Sequence, residues 1–442
     1  CSRTVVVATT LLSLLALIAC LLVVYTNSSS GSCPAGAFPC ANSSLCIPQH
    51  SICNHHVDCP QADDEDAITC ADLYGYTDEF IGKLKRANVS SNCKLDVIPT
   101  ECDCGDEKAL WCKNKGLTSV PQHVSDFVNK MILANNSITL TDDSFRQFCC
   151  ITVIHLEGNN LKVLPARVFR NQSHLKRLLL QMNQLEELPA FVFHGLRQLE
   201  WLFLQNNNLK FMNLDTWVDL INLEWLELMH NEIALENETF PYLPSLKMLN
   251  LASNRITEIK NDTFSELLNL SELDLRQNKI ISVEEDAFHK LKLLDYLDLS
   301  FNHLHTLHEV SFNHLHSLDK LMLGNNPLKQ VPRKLFSHLG NLSSLDLQDI
   351  ELEHIDTSMF LMLEKLDFVY FKQYYYCTHA PNVPKCSPNS DGVSSFQHLL
   401  SKPVQRVTLW LVAVFTCGAN ILVILGRFTA RDENQALSFV VR

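Results

Sequence analysis

LEWLFLQNNNL (Leu199 to Leu209) is followed by LEWLELMHNEI (Leu223 to Ile233), the same spelling of L-x-x-L-x-L-x-x-N-x-L displaced by 24 residues. Reading outward, the unit appears earlier as ITVIHLEGNNL (Ile151 to Leu161) and LKRLLLQMNQL (Leu175 to Leu185). It continues later as LKMLNLASNRI, LSELDLRQNKI, LDYLDLSFNHL and LDKLMLGNNPL, ending at Leu328. Its asparagines, Asn136, Asn159, Asn183, Asn207, Asn231, Asn254, Asn278, Asn302 and Asn326, are spaced by 23 or 24 residues throughout. A fixed period of this kind marks a solenoid, in which each unit buries its apolar side only by stacking on its neighbours.

The physics of the unit gives the fold class: an α/β leucine-rich-repeat solenoid with parallel β-strands on the concave face. L-x-L is a short strand whose leucines point inward, and the asparagine turns the chain and satisfies backbone groups of adjacent turns. A later phenylalanine in each unit (Phe169, Phe193, Phe240, Phe264, Phe288, Phe312, Phe336) supplies a second core layer under the convex side. The tenth unit, LSSLDLQDIEL, has Ile350 at the asparagine position, and an eleventh is only outlined between Leu366 and Tyr376. Atypical terminal repeats are what capping requires.

Seventeen cysteines cluster at the two ends of this region, and nine N-x-S/T acceptors (Asn27, Asn42, Asn88, Asn135, Asn171, Asn237, Asn261, Asn269, Asn341) all precede the C-terminal apolar run. Both features point to an oxidising, extracellular setting. The net charge of -13 argues against a nucleic-acid surface and favours a basic partner. Val404 to Arg427 is almost wholly apolar and has the length of a bilayer-crossing helix, with Arg427 and Arg431 placing the tail on the cytoplasmic side. The earlier run, Val5 to Tyr25, reads as a signal peptide or a retained signal anchor. There is no nucleophile–base pairing at a recognisable spacing, no Gly-rich phosphate loop and no His/Cys zinc motif, so an enzyme is not indicated. His303, His305, His308, His314 and His316 cluster without a matching acid or thiol set and read as surface histidines.

Residues 33–70 hold six cysteines and the carboxylate-rich run CNHHVDCPQADDEDAITC, too short a stretch for a core of its own. This pattern resembles the low-density-lipoprotein receptor class A module. The resemblance implies disulfides Cys33–Cys46, Cys40–Cys59 and Cys53–Cys70. It also implies a structural Ca²⁺ held by Asn54, Asp58, Asp64 and Glu65 with carbonyls of Ser51 and His56, a hard-oxygen set. Asn54, His55 and Gln61 depart from the usual residues and lower the charge of the set; the alternative is an acidic solvated loop without metal. Cys93, Cys102, Cys104 and Cys112 are similar to an N-terminal repeat cap, which implies pairs Cys93–Cys104 and Cys102–Cys112. Cys149, Cys150, Cys377 and Cys386 have no pairing derivable from sequence.

A class A module followed by leucine-rich repeats and an apolar helix resembles the relaxin-type leucine-rich-repeat G-protein-coupled receptors. Tyr370 to Ile424, with P-N-S-D-G-x-S-S, looks like that family's hinge and first helix. Asn420 with Val423 resembles its G-N-x-x-V motif, although Ala419 occupies the glycine position. The expected organisation is 1–32 signal peptide or anchor, 33–70 class A module, 71–92 linker and 93–125 repeat cap. It continues with 126–376 repeats, 377–403 C-terminal cap and hinge, 404–427 first transmembrane helix and 428–442 cytoplasmic tail. The linker, with Tyr74, Tyr76, Phe80, Ile81 and Leu84, is a short amphipathic helix or a tether. The resemblance implies a plasma-membrane receptor, its N-terminal region outside, that captures an insulin-like or relaxin-like peptide hormone and uses the calcium module in activation. A heterotrimeric G protein would be a partner only if the chain continues beyond Arg442. The alternative is an adhesion, decoy or endocytic repeat protein without G-protein signalling.

The variable positions of the strand unit form a grid on the concave side. Repeats four and five place Trp201, Phe203, Trp225, Glu227 and Met229 there, and exposed tryptophans are expected to anchor a ligand. The alternative is that they pack on one another. Later repeats add Glu272, Asp274, Tyr296 and Asp298, with Asp295, Asp319 and Asp346 near them. Trp201, Phe203 and Asp298 match the family's hormone pocket, whereas Asn250, Ala252 and Tyr296 stand where it has acids; Glu272 and Asp274 could substitute. These departures imply a related insulin-like peptide rather than relaxin itself.

Overall fold

The structure is a computed structural model that describes residues 37–40, 45–48, 57–62, 93–105, 108–211, 213–235, 239–353, 355–388 and 403–429. The described part of the N-terminal unit is a small antiparallel hairpin, β1 (Ala37–Pro39) with β2 (Cys46–Pro48), in register Phe38 to Ile47. Its buried residues are Cys40, Ile47 and Cys59. A Cys40–Cys59 disulfide therefore does here what a larger apolar core does elsewhere.

The repeat region is one fourteen-stranded sheet. It begins with β3 (Asp103–Cys104), antiparallel to β4 (Ala109–Trp111), and from β4 onward every pairing is parallel. Then come β5 (Lys130–Ile132), β6 (Val153–His155), β7 (Arg177–Leu179), β8 (Trp201–Phe203), β9 (Trp225–Glu227) and β10 (Met248–Asn250). β11 (Glu258–Ile259) and β13 (Ser282–Val283) form a separate two-stranded pair. The main sheet continues through β12 (Glu272–Asp274), β14 (Tyr296–Asp298), β15 (Lys320–Met322), β16 (Ser344–Leu347), β17 (Phe368–Phe371) and β18 (Lys385–Ser387). From β4 to β15 the central residue of each strand in the main sheet is buried, a leucine except for Met131 and Ile154, and each pairs in register with the next, so one core runs along the sheet.

Two ladders make the repeat rigid. Asn278 shows the first: its Nδ2 donates to the carbonyls of Leu251 (2.9 Å), in the previous repeat, and Leu275 (3.0 Å), and its Oδ1 accepts from the Ile256 N–H (3.1 Å). The residue before each ladder position is left-handed, from Asn135 and Gly158 to Phe301, Asn325 and Asp349. That conformation is unfavourable for most side chains, and the ladder's hydrogen bonds hold it. In the second ladder the phenylalanines stack from repeat to repeat, Phe145 on Phe169 at 5.8 Å and Phe169 on Phe193 at 6.4 Å. Trp217, with its ring 6.2 Å from that of Phe193, fills the spine in the repeat that lacks a phenylalanine.

Both ends differ from a plain repeat. Cys93 is bonded to Cys104 and Cys102 to Cys112 at the first strands. At the other end the eleventh unit is a full rung, β17, and Ile350 takes its asparagine-free place fully buried. The short helix α1 (Ser358–Leu361) buries Phe360 against Phe371, and Cys377–Cys386 closes the last rung. β18 adds a further parallel strand, so the sheet extends past the expected repeat boundary at 376.

Helix α2 (Pro403–Thr429) occupies the expected position of the transmembrane segment. Its side chains are described over 407–423. Among the described residues no helix is long and apolar enough to cross a membrane. Within that span Leu409, Trp410, Val414, Phe415, Leu422 and Val423 are all exposed.

Candidate functional site

The outer face of the sheet carries two columns, set by the strand register. The first runs Arg177, Trp201, Trp225, Met248, Glu272, Tyr296, Lys320 and the second Leu179, Phe203, Glu227, Asn250, Asp274, Asp298, Met322, Asp346. Neighbouring members of a column are about 4.8 Å apart in strand spacing, so their side chains must touch.

Aromatic residues fill the early rungs. The Trp225 ring lies 5.6 Å from Trp201 and 5.2 Å from Phe203, and the Arg177 guanidinium sits 3.9 Å over the Trp201 ring. The tryptophans expected to be exposed are therefore not both so. Trp225 is only 2% exposed and Phe203 5%, while Trp201 is half-buried. Stacking in register buries them against each other, and Trp201 with Arg177 is the part that faces outward.

Carboxylates fill the later rungs. Asp274 meets the Arg276 guanidinium at 3.2 Å and accepts the Arg276 N–H at 3.0 Å. Tyr296 donates its hydroxyl to Asp298 Oδ2 (3.1 Å), while Asp298 Oδ1 accepts from the Ser300 N–H (2.8 Å) and Oγ (2.6 Å). Asp346 accepts the Gln348 N–H at 2.8 Å, and its carboxylate lies where a side chain on Gly324 would stand. Glu227 accepts the Met229 N–H at 3.3 Å. A recess of ≈ 10 Å³, lined by Trp225, Met248, Asn250, Glu272, Asp274 and Tyr296, separates aromatics from acids and has room for about one water.

Burial dominates the electrostatics. It pushes the Glu227 carboxyl up to about 8, with the charge of Asp274 adding to the effect and the Met229 N–H opposing it. Asp346 is raised to about 7 by burial against the Gln348 N–H. Asp274 reaches about 6, burial outweighing the Arg276 guanidinium. Burial likewise raises Asp298 and holds the Tyr296 hydroxyl well above its usual range. Positive charge brought to this face would lower these values, because a cation stabilises the charged form that burial disfavours.

The structure thus brings Trp201, Phe203 and Trp225 into one cluster, and Glu272, Asp274, Tyr296 and Asp298 into another, with Glu227 between them in register. Sequence reasoning missed Arg276 and Arg177. Each was legible in principle, the first two positions beyond Asp274 and the second at the register position of Trp201.

In the N-terminal unit, Asp58 is described and exposed, one residue before the bonded Cys59. Ser51, Asn54, His56, Asp64 and Glu65 lie outside the described residues, as do Cys33, Cys53, Cys70, the linker and most of the hinge. Two of the clustered histidines pair with acids, His308 with Glu285 at 3.1 Å and His314 with Asp286 at 3.8 Å. Among the described residues no group of three such side chains could hold a metal ion.

Residues 31–70 match the low-density lipoprotein receptor domain class A, and 149–209, 173–233, 234–280, 244–304 and 269–328 match leucine rich repeat. The chain joins a class A lipoprotein-receptor module to leucine-rich repeats. Its curated relatives include relaxin receptor 1 of Rattus norvegicus, 47% identical over 73 residues, 16% of this chain and 10% of that protein. Relaxin receptor 2 of Homo sapiens is 38% identical over 77 residues, 17% of this chain and 10% of that protein. The aligned segment spans about a tenth of the length of these relatives, and the combination of modules is consistent with a relaxin-type leucine-rich-repeat receptor. Among solved structures, the TLR13–ssRNA13 complex superposes with a TM-score of 0.53 at 25% identity, covering 61% of this chain and 42% of that one. The Toll–Spatzle complex of Drosophila gives 0.51 at 23% identity, covering 55% and 33%, a likeness of fold.

Proposed function

We propose that this chain is the ectodomain and first membrane helix of a plasma-membrane G-protein-coupled receptor that holds an insulin-like or relaxin-like peptide hormone on the concave sheet face. The observation that carries this reading is the juxtaposition, on consecutive rungs, of an aromatic cluster with a column of carboxylates raised by burial. A peptide presenting an apolar residue beside basic ones would bury the first on Trp201 and discharge the second against Asp274 and Asp298. The outward-facing apolar side chains of α2 support a lipid setting, since a helix apolar all round has no stable exposed state in water. Full-length activity and coupling to a G protein belong to the same proposal.

The front module would hold Ca²⁺ through Asn54, Asp58, Asp64 and Glu65 with the carbonyls of Ser51 and His56. These are hard oxygen donors of the kind calcium takes, and the ion would supply structural rigidity to a unit with little core. Glycans would occupy Asn135, Asn171, Asn261, Asn269 and Asn341, all exposed and none in a sheet strand.

The test is calorimetric titration of the full chain in detergent with insulin-like and relaxin-like peptides, with and without Ca²⁺. Saturable binding weakened at least about tenfold in Trp201→Ala and Asp298→Asn supports the reading. Absence of binding to every such peptide overturns it in favour of an adhesion, decoy or endocytic protein.

A further inference from the structure

Every repeat closes its outer side with a β-turn before the next strand, and the two central residues of that turn face outward. The series includes Gln172–Leu175, Leu196–Leu199, Leu220–Leu223, Leu267–Leu270 and Leu339–Leu342, each closed by an N–H to carbonyl bond of 2.9 to 3.2 Å. In most of them the central pair carries a polar residue, as in Ser173–His174, Arg197–Gln198 and Gly340–Asn341. In the turn Phe148–Ile151 the central pair is Cys149–Cys150.

Three features set this turn apart. Both cysteines are exposed and unbonded, with their sulfurs 3.5 Å apart. The bonded cysteines Cys40, Cys59, Cys93, Cys102, Cys104, Cys112, Cys377 and Cys386 show that the same chain elsewhere uses its thiols in pairs. Finally, the closing bond from the Ile151 N–H to the Phe148 carbonyl is 3.4 Å, longer than in those sister turns.

We propose that Cys149 and Cys150 are a redox site that closes, by exchange with a low-molecular-weight disulfide, into a vicinal disulfide across this turn. The Cys149 thiolate attacks one sulfur of the small disulfide, forming a mixed disulfide as the small molecule's own S–S bond breaks and one thiolate leaves. Cys150 then gives its proton to solvent and attacks Cys149 Sγ; the Cys149–Cys150 bond forms and the second small thiolate departs. Two electrons pass to the small disulfide and two protons to water. Hydrogen bonding to Cys149 and the charge of that neighbour push the Cys150 thiol up, against the opposing field of Lys108, which fits Cys150 as the later attacker.

The second attack needs no other protein, because the resolving sulfur is already 3.5 Å away. The resulting bond would be weaker than the disulfides among the described residues. Adjacent Cα atoms stand about 3.8 Å apart, inside the roughly 4.4 Å at which ordinary disulfides begin, and the misfit makes such a bond easier to reduce. The bonded pairs among the described residues have Cα separations of 4.5 to 5.8 Å.

The experiment treats the full chain with glutathione disulfide, blocks free thiols with N-ethylmaleimide, and measures by mass spectrometry the peptide that contains both cysteines. The expected peptide carries no block and is two hydrogens lighter than its reduced form. It should open in glutathione buffers at a reductant level about tenfold below that needed for Cys102–Cys112. In C150S, which lacks the resolving sulfur, one glutathione should remain on Cys149. Blocked thiols at Cys149 and Cys150 after oxidation, glutathione retained on either of them in the unaltered chain, or a dimer linked through either of them and still formed in C417S would each overturn the proposal.

Discussion

Two polar columns run along the same sheet and behave oppositely. The asparagine ladder is neutral, and its amides are matched to backbone partners: Asn231, Asn254, Asn278 and Asn302 each donate to a carbonyl of their own repeat and to one of the repeat before. The outer column of Glu227, Asp274, Asp298 and Asp346 is acidic, and each member accepts one N–H two residues on while burial still works against its charge. The first column spends its hydrogen bonds on the fold. The second is left with carboxyls that burial raises above their usual range.

The largest effect should come from the ladder. Asn278→Ala removes the donor to Leu251 and Leu275 and the acceptor for Ile256, leaving buried backbone groups unpaired. A loss of about 3 kcal/mol in denaturant unfolding is expected. A loss below about 1 kcal/mol would mean that the ladder is not what holds the rungs.

Next in size is the pH response of the acidic column. Glu227, Asp346 and Asp274 have folded values of about 8, 7 and 6, above their ordinary 4.5, 3.8 and 3.8. Such groups bind more protons folded than unfolded. Their stabilising contribution is therefore complete below about pH 4 and is lost as pH rises through the folded values. Thermal melts between pH 4 and pH 8.5 should show Tm falling across that window from this source, with the slope reduced in a Glu227→Gln, Asp346→Asn double variant. An unchanged slope in the double variant would break the contrast drawn between the columns.

Smaller is the single substitution Glu227→Gln. At pH 8.5 it removes a buried charge and should raise Tm, with much less change at pH 5, where the native carboxyl is already protonated. Smallest is Trp217→Phe, which returns the spine to its common residue next to Phe193 and should cost under about 1.5 kcal/mol.

From the period alone come the parallel strands, the asparagine ladder, the phenylalanine spine and the presence of caps, because each depends on a residue type recurring at a fixed offset and on nothing farther away. The substitution of Trp217 into the spine, the pairing of Cys377 with Cys386 and the promotion of the eleventh unit to a full strand break the period, so their roles depend on what stands beside them in space. The site divides the same way. Its residue types were legible as a grid on one face, yet the burial of Trp225 against Trp201 and Phe203 was decided by the stacking of neighbouring rungs. Sequence spacing determines which side of a strand a residue occupies; only the packed sheet determines how much of it water still reaches, and with that its charge.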